Sequence, residues 1–320
     1  MAKITKLDDL LKNNKAGESH IVDQVLSRTS NDIYKEAIPF PKLIQVETTN
    51  ICNHGCEFCA YTTMERKKKH INRELFLKIV KDSYELGSRQ IGLFSGAEPL
   101  TCKWLDQYIK ICKDIGYEYC YISTNGSLAN LDKFIKLVEA GLDSIKFSVN
   151  GGNREIYKKI HAKDDFNKVI ENIIGLDNYR KNNKKKIWLG VSFVATPESK
   201  ESFYSLEKIL GKHVDEIIMY EANNQSGQVE HLEPGFEKCS LPFAKAHFTV
   251  EGYLRACCND YENLLALEDI KKVSIKEAWN GKRFRSLRKK HIENKLDGTL
   301  CGKCIRNSKC KVEPLNSDLV

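Results

Sequence analysis

Of the chain's 320 residues, 41% are hydrophobic and 29% charged, the balance of a globular protein with a full core and room for one large domain plus a small one. No apolar run approaches the roughly 18 residues of a membrane span, and the polar start of the chain does not read as a signal peptide, so a cytoplasmic protein with no membrane partner is expected. The net charge of +8 arises in lysine-rich runs at 65–70, 180–186 and 282–291, which read as solvated faces able to attract an anionic small molecule; with no aromatic-and-basic recognition motif, nucleic acid is not an expected partner.

Residues 1–41 carry two weak helical patterns, at 7–12 and 21–37, and end at Pro39 and Pro41. They read as a short helical extension, too short for a separate peptide-binding domain. From 42 a regular alternation begins. Strands are expected at 43–47, 90–94, 119–123, 144–149, 187–195 and 216–220, and helices at 72–86, 105–115, 131–140, 166–179 and 199–210. Asn72 has the character of an N-cap, and Gly87, Gly116, Gly141 and Gly211 stop helices. Six strands separated by five helices predict parallel pairing through right-handed crossovers. Six units are too few for a closed eight-fold barrel, so residues 42–235 are expected to form a partial (βα)6 TIM-type barrel. A small α+β domain follows at 236–320, with one helix expected at 275–288.

Twelve cysteines without a secretion signal argue for metal in a reducing compartment rather than for disulfides. Cys52, Cys56 and Cys59 lie just past the first barrel strand with the spacing C-x3-C-x2-C. Thiolates at that density suit zinc, copper(I) or an iron–sulfur cluster. Three ligands leave one iron of a cluster open, whereas zinc would require a fourth ligand such as His54 or His70. Other motifs follow later strands, where a parallel sheet places its ligands: Ser95-Gly96-Ala97-Glu98-Pro99 after the second, Ser123-Thr124-Asn125-Gly126 after the third, and Ser148-Val149-Asn150-Gly151 after the fourth. Each could also be an ordinary turn. Arg154, His161, Glu221, Asn223 and Asn224 lie near strand ends. Cys102, Cys112 and Cys120 occupy apolar positions and read as buried small hydrophobes.

The cysteine triad with Phe58 before its last member resembles the signature of the radical S-adenosylmethionine (radical SAM) enzymes. That resemblance implies a 4Fe–4S cluster on Cys52, Cys56 and Cys59, whose open iron takes S-adenosylmethionine and whose electron releases a 5′-deoxyadenosyl radical. It also implies cofactor-binding roles for Phe58, Gly96, Ala97, Glu98, Ser123, Asn125, Ser148 and Asn150. Two departures stand out: Ala97 where the family has glycine, and Asn150 where it has aspartate.

Beyond residue 236, Cys239, Gly252 and Cys257 give C-x12-G-x4-C, followed by Cys301-Gly302-Lys303-Cys304 and Cys310. The layout resembles the SPASM or twitch extension of the same enzymes and implies one auxiliary 4Fe–4S cluster on Cys239, Cys257, Cys301 and Cys304, with Cys310 as alternative. A structural zinc is the competing reading. A strand through Cys257 and Cys258 would turn the second thiol away from the cluster. The expected activity is oxidation of a carbohydrate, aminocyclitol or sugar-nucleotide alcohol to a ketone, with an external electron donor such as flavodoxin or ferredoxin. The alternatives are a radical epimerase with Cys258 as hydrogen donor, modification of a ribosomal peptide, and a zinc-bound scaffold without activity.

Overall fold

The computed structural model describes residues 1–6, 19–20, 23–24, 31–229 and 239–320. All its strands form one ten-stranded sheet. At one edge is a strand absent from the helical reading of the N-terminus, β1 (Lys3–Lys6). The six expected barrel strands follow as β2 (Leu43–Val46), β3 (Gln90–Gly92), β4 (Tyr119–Thr124), β5 (Ser144–Ser148), β6 (Trp188–Ala195) and β7 (Glu216–Glu221). They pair in parallel in sequence order, and β1 adds in parallel outside β7. Thr5 is what ties β1 down, its buried hydroxyl donating to Glu216 on β7 at 2.5 Å. The helical pattern at 7–12 lies outside the described residues, as do 21–22 and 25–30 of that at 21–37.

The crossovers are α1 (Arg73–Glu85), α2 (Leu105–Ile115), α3 (Leu131–Glu139), α4 (Arg154–His161), α5 (Phe166–Asn182) and α6 (Phe203–Leu210). The Asn72 side chain accepts from the amides of Glu74 and Leu75, and α1 then buries Phe76, Ile79 and Val80 against the sheet. α4 is additional: Asn153 caps its start, and Ala162, at φ 52°, ends it. Strand periodicity sorts the side chains. On β5, Ile145 and Phe147 join the core beneath the helices, which leaves Ser144, Lys146 and Ser148 on the interior face of the barrel. Ala97, the departure from glycine, is absent from the positive-φ residues, so its methyl introduces no backbone strain.

Past the segment 230–238, which contains the expected boundary near 235 and lies outside the described residues, the chain returns to the sheet. A short helix α7 (Leu241–Ala244) leads into β8 (Lys245–Phe248), parallel to β2, and β9 (Tyr253–Arg255) and β10 (Ala266–Asp269) continue antiparallel. The single helix expected at 275–288 is two, α8 (Ile275–Trp279) and α9 (Lys282–Ile292). They break because the Asn280 side chain turns out of helical register to accept from Ile38 N–H and from Arg288. The Arg288 guanidinium lies 4.2 Å from the Trp279 ring centre and 4.0 Å from that of Phe284. Burial pushes its pKa down to about 9, and it spends its protons on the Pro242, Glu36 and Trp279 carbonyls. A final helix, α10 (Leu300–Arg306), carries the last Cys-x2-Cys. No described helix is long and apolar enough to cross a membrane.

Candidate functional site

One cavity opens at the carboxyl ends of the barrel strands. It is lined by Cys52, Cys56, Phe58 and Cys59 from the loop after β2, by Gly96, Ala97 and Glu98 after β3, by Ser123 and Asn125 at the end of β4, and by Ser148 and Asn150 at the end of β5. The folded chain therefore gathers all of these candidates around one space.

Short-range hydrogen bonds fix the cysteine loop. The Tyr61 hydroxyl accepts from Cys52 N–H at 2.8 Å, and Cys59 N–H donates to the Cys56 carbonyl at 3.0 Å. Asn125 joins this loop to β4, donating through Nδ2 to Asn53 Oδ1 at 2.9 Å. Glu98, 3% exposed, is largely spent on architecture: Oε1 accepts from Leu100 N–H and the Thr124 hydroxyl, and Oε2 from Asn125 N–H. A carboxylate has about four acceptor sites, so Oε2 keeps one for a ligand in the cavity. Asn150 Oδ1 accepts from Val194 N–H at 2.7 Å, tying β5 to β6, a task that needs no charge and that asparagine performs as well as aspartate.

The three thiols are unbridged. Burial above all, with the charges of Glu98 and Cys59, pushes Cys52 up to about 12, and burial with the charges of Cys59 and Cys52 pushes Cys56 well above the ordinary thiol range. Three thiolates so placed are costly without a compensating polycation. The donor set thus fits a cationic iron–sulfur core bound through sulfur. His54, the alternative zinc ligand, has both ring nitrogens engaged by protein partners, and His70 lies against Trp104 instead.

His161, which the sequence placed only near a strand end, stands against a cysteine of the triad. Asn150 N–H can only donate, and it reaches His161 Nε2 at 3.2 Å, so the proton of the neutral ring sits on Nδ1. That N–H faces Cys56 Sγ at 3.6 Å and His54 Nδ1 at 3.1 Å. His54 then carries its proton on Nε2, toward Ser127 Oγ at 3.0 Å and Asp165 Oδ2 at 3.3 Å. Although His54, Cys56 and His161 hold possible ligand atoms within 4.8 Å of one another, the two imidazoles are hydrogen-bonded to each other.

Burial, aided by His54, pushes the His161 pKa down to about 3 from an ordinary 6.5. Above pH 6.5 the ring is neutral whether the chain is folded or not; below it only the unfolded chain takes the proton, so stability falls as pH falls. At pH 5 this residue alone is expected to remove about 2 kcal/mol. Thermal unfolding of the metal-free protein at pH 7 and pH 5 measures that loss, and His161→Asn should shrink it.

Tyr261 is a site residue that sequence reasoning did not find. It reaches the cavity from the turn after β9, and its hydroxyl lies 3.3 Å from Cys59 Sγ. Its ring packs so closely on Gly96 that a Cβ there would stand 2.6 Å from Tyr261 Cε1. No spacing or periodicity marks Tyr261; Gly96 was legible only as a point of close approach. By contrast, Arg154 is engaged with Asp164 on an exposed face, and Glu221 pairs with Lys200 outside the cavity. Asn224 supports the second cysteine set, donating to the carbonyls of Lys303 and Cys304.

In that second set burial pushes Cys239 up to about 12; Cys239, Cys257 and Cys301 each feel the charge of another member, and Cys304 feels that of Cys258. Such a donor set fits a closed four-thiolate site, and Asn259 N–H already points at Cys257 Sγ from 3.3 Å. The expectation for Cys258 needs correcting. β9 ends at Arg255, so Cys257 and Cys258 lie in a turn where strand alternation does not apply, and their thiols share a hydrogen bond. That bond, with the charges of Lys245 and Arg255, draws the Cys258 thiol down to about 6. Cys310, the alternative ligand, is exposed.

Residues 46–194 match the family model of the radical SAM superfamily, and residues 239–305 that of the SPASM iron–sulfur cluster-binding domain. Among curated relatives, a "Probable GTP 3',8-cyclase" of Saccharolobus islandicus (strain M.14.25 / Kamchatka #1) is 29% identical over 224 residues, covering 64% of this chain and 68% of that protein. Among solved structures, BtrN in complex with AdoMet and 2-DOIA is similar with a TM-score of 0.57 at 19% identity, covering 86% of this chain and 96% of that one. Streptococcus suis SuiB bound to precursor peptide SuiA gives 0.65 at 12% identity, with 83% and 69% covered. These structural likenesses are likenesses of fold.

Proposed function

Because the chain is a radical SAM enzyme with a C-terminal SPASM iron–sulfur domain, we propose that it oxidises an alcohol carbon of a carbohydrate, aminocyclitol or sugar nucleotide to a ketone. Bound in the two sulfur-lined sites, S-adenosylmethionine with its 4Fe–4S cluster supplies a hydrogen-abstracting 5′-deoxyadenosyl radical, and an auxiliary 4Fe–4S cluster supplies an electron acceptor. In this reading Cys52, Cys56 and Cys59 hold the first cluster, with the His161 Nδ1–H donating to the Cys56 sulfur. Gly96, Ala97, Glu98, Ser123, Asn125, Ser148 and Asn150, with Phe58, surround S-adenosylmethionine. Cys239, Cys257, Cys301 and Cys304 hold the second cluster.

The observation that carries the oxidative reading is the reach of Lys245. Its Nζ donates to Gln45 Oε1 inside the barrel at 3.2 Å, and its charge also bears on the Cys239 and Cys258 thiols. The second thiol set therefore borders the interior that a substrate would enter, as removal of two hydrogens requires: one leaves as an atom, the other as a proton with its electron passed on. The overlap of fold with BtrN supports the same reading, which also takes an external electron donor such as flavodoxin or ferredoxin and a cytoplasmic setting. Epimerisation loses support because Cys258 lies among the other thiols. The relatives named as cyclases favour a second reading, internal ring closure of a nucleotide.

Product mass separates the two. A panel of sugars, aminocyclitols and sugar nucleotides, scored by 5′-deoxyadenosine release, is expected to give a product lighter by two hydrogens. An unchanged mass would replace oxidation with ring closure, or with inversion if one solvent deuterium is incorporated.

A further inference from the structure

Resting on that reading of the site, we propose that the barrel interior beneath the cofactor cavity binds its substrate through a phosphoryl group, held by Lys146 and Lys245. Strand register places these side chains. Lys146 stands two residues before Ser148 on β5, hence on the same face and one layer deeper than the cavity wall. Gln45 aligns with His247, and His247 with Arg255, so these residues and Lys245, two before His247, share the interior face of β2, β8 and β9.

Among the described residues these interior ammonium groups meet neutral oxygens. Lys146 Nζ meets the Tyr220 hydroxyl at 3.3 Å, and Lys245 Nζ meets the Gln45 amide oxygen. Among the described residues neither ammonium has a carboxylate partner. His247 is 1% exposed, and both of its ring nitrogens lack a hydrogen-bond partner among those residues. Of the nearby acids, Glu47 is paired with Arg66 and Arg255, and Glu216 Oε1 accepts from the hydroxyls of Thr5 and Ser19 rather than from an ammonium. Lys245 has a second outlet, because thiolates at Cys239 and Cys258 would offset part of its charge. Lys146, four strands away across the sheet, has no such neighbour.

Cations and an orphaned imidazole inside a barrel are costly unless an anion completes them. The kind of donor points to the kind of anion. Ammonium groups bind phosphate oxygens as point charges, and two of them on one interior match the nearly two negative charges of a phosphoryl group better than the single charge of a carboxylate. The one guanidinium of this set, Arg255, is taken up by Glu47, Ser95 Oγ and the Asp260 carbonyl.

The test titrates inorganic pyrophosphate, and separately citrate, into anaerobically reconstituted enzyme carrying S-adenosylmethionine, with heat as the readout. Saturable pyrophosphate binding is expected, weakened about tenfold or more by Lys146→Met and by Lys245→Met. Lys146→Arg, which keeps the charge, should restore most of it, and the exposed pair Lys184→Ala/Lys186→Ala should leave it unchanged. Iron content and circular dichroism check that each variant is folded. Absence of saturable binding to the wild-type protein, equal weakening by the exposed pair, or binding of citrate in place of pyrophosphate would overturn the proposal. Wild-type 5′-deoxyadenosine formation without substrate is measured in parallel. Its absence would count against the enzymatic reading alone, since pyrophosphate binding is read without turnover.

Discussion

Replacing Cys52, Cys56 and Cys59 together with alanine is expected to abolish 5′-deoxyadenosine formation while about four irons per chain remain. The three thiols share one cavity, and burial, with charge among them, raises the pKa values of Cys52 and Cys56. The nearest other candidates, His54 and His161, are held by hydrogen bonds to each other and to Ser127 and Asn150. The second thiol set lies just before α7, in the turn after β9 and on α10; that turn meets the cysteine loop through Tyr261, which the three alanine changes leave in place, so its iron should survive. Iron analysis and chromatographic assay of 5′-deoxyadenosine after anaerobic reconstitution read both halves. Continued cleavage in the triple variant, or zinc without sulfide in the wild-type protein, would remove the basis for every role assigned to the cavity.

The second large effect concerns the auxiliary site. The double change Cys301→Ala/Cys304→Ala should remove about four irons, leave substrate-independent cleavage of S-adenosylmethionine in place, and stop formation of the oxidised product. Both cysteines are on α10, which Thr299 caps by accepting from Gly302 N–H, so removing two thiols leaves the helix intact. The Cys258→Ala variant is the natural comparison. Five thiols converge where four close a cluster, and if Cys258 is the fifth, that variant should retain about eight irons. Oxidised product from the double variant would mean that the electron leaves by another route, and the oxidative reading would fail.

Much of the barrel was legible because each strand and helix has a strong period of its own. The apolar positions of α1, the glycine stop of α2 and the buried alternation of β4 are local facts, written within fifteen residues. Legibility failed where a distant partner decides the outcome. Asn280 interrupts a helical pattern because Ile38 and Arg288 offer it better hydrogen bonds. Lys3–Lys6 becomes a strand because Glu216 and the open edge of β7 receive it. Cys258 was set apart by an alternation rule that its turn does not obey.

By itself, the order of residues determined the grouping of the cysteines into a C-x3-C-x2-C triad and a later set, and the parallel repeat that carries the triad at its strand ends. Those depend on neighbours in sequence, through spacing and periodicity. Only the tertiary structure decided that Tyr261 covers Gly96, that His161 turns its proton toward Cys56, and that, among the described residues, Lys146 and Lys245 meet the neutral oxygens of Tyr220 and Gln45. Such relations join residues tens to hundreds of positions apart, and they exist only once the sheet has curved and set its register.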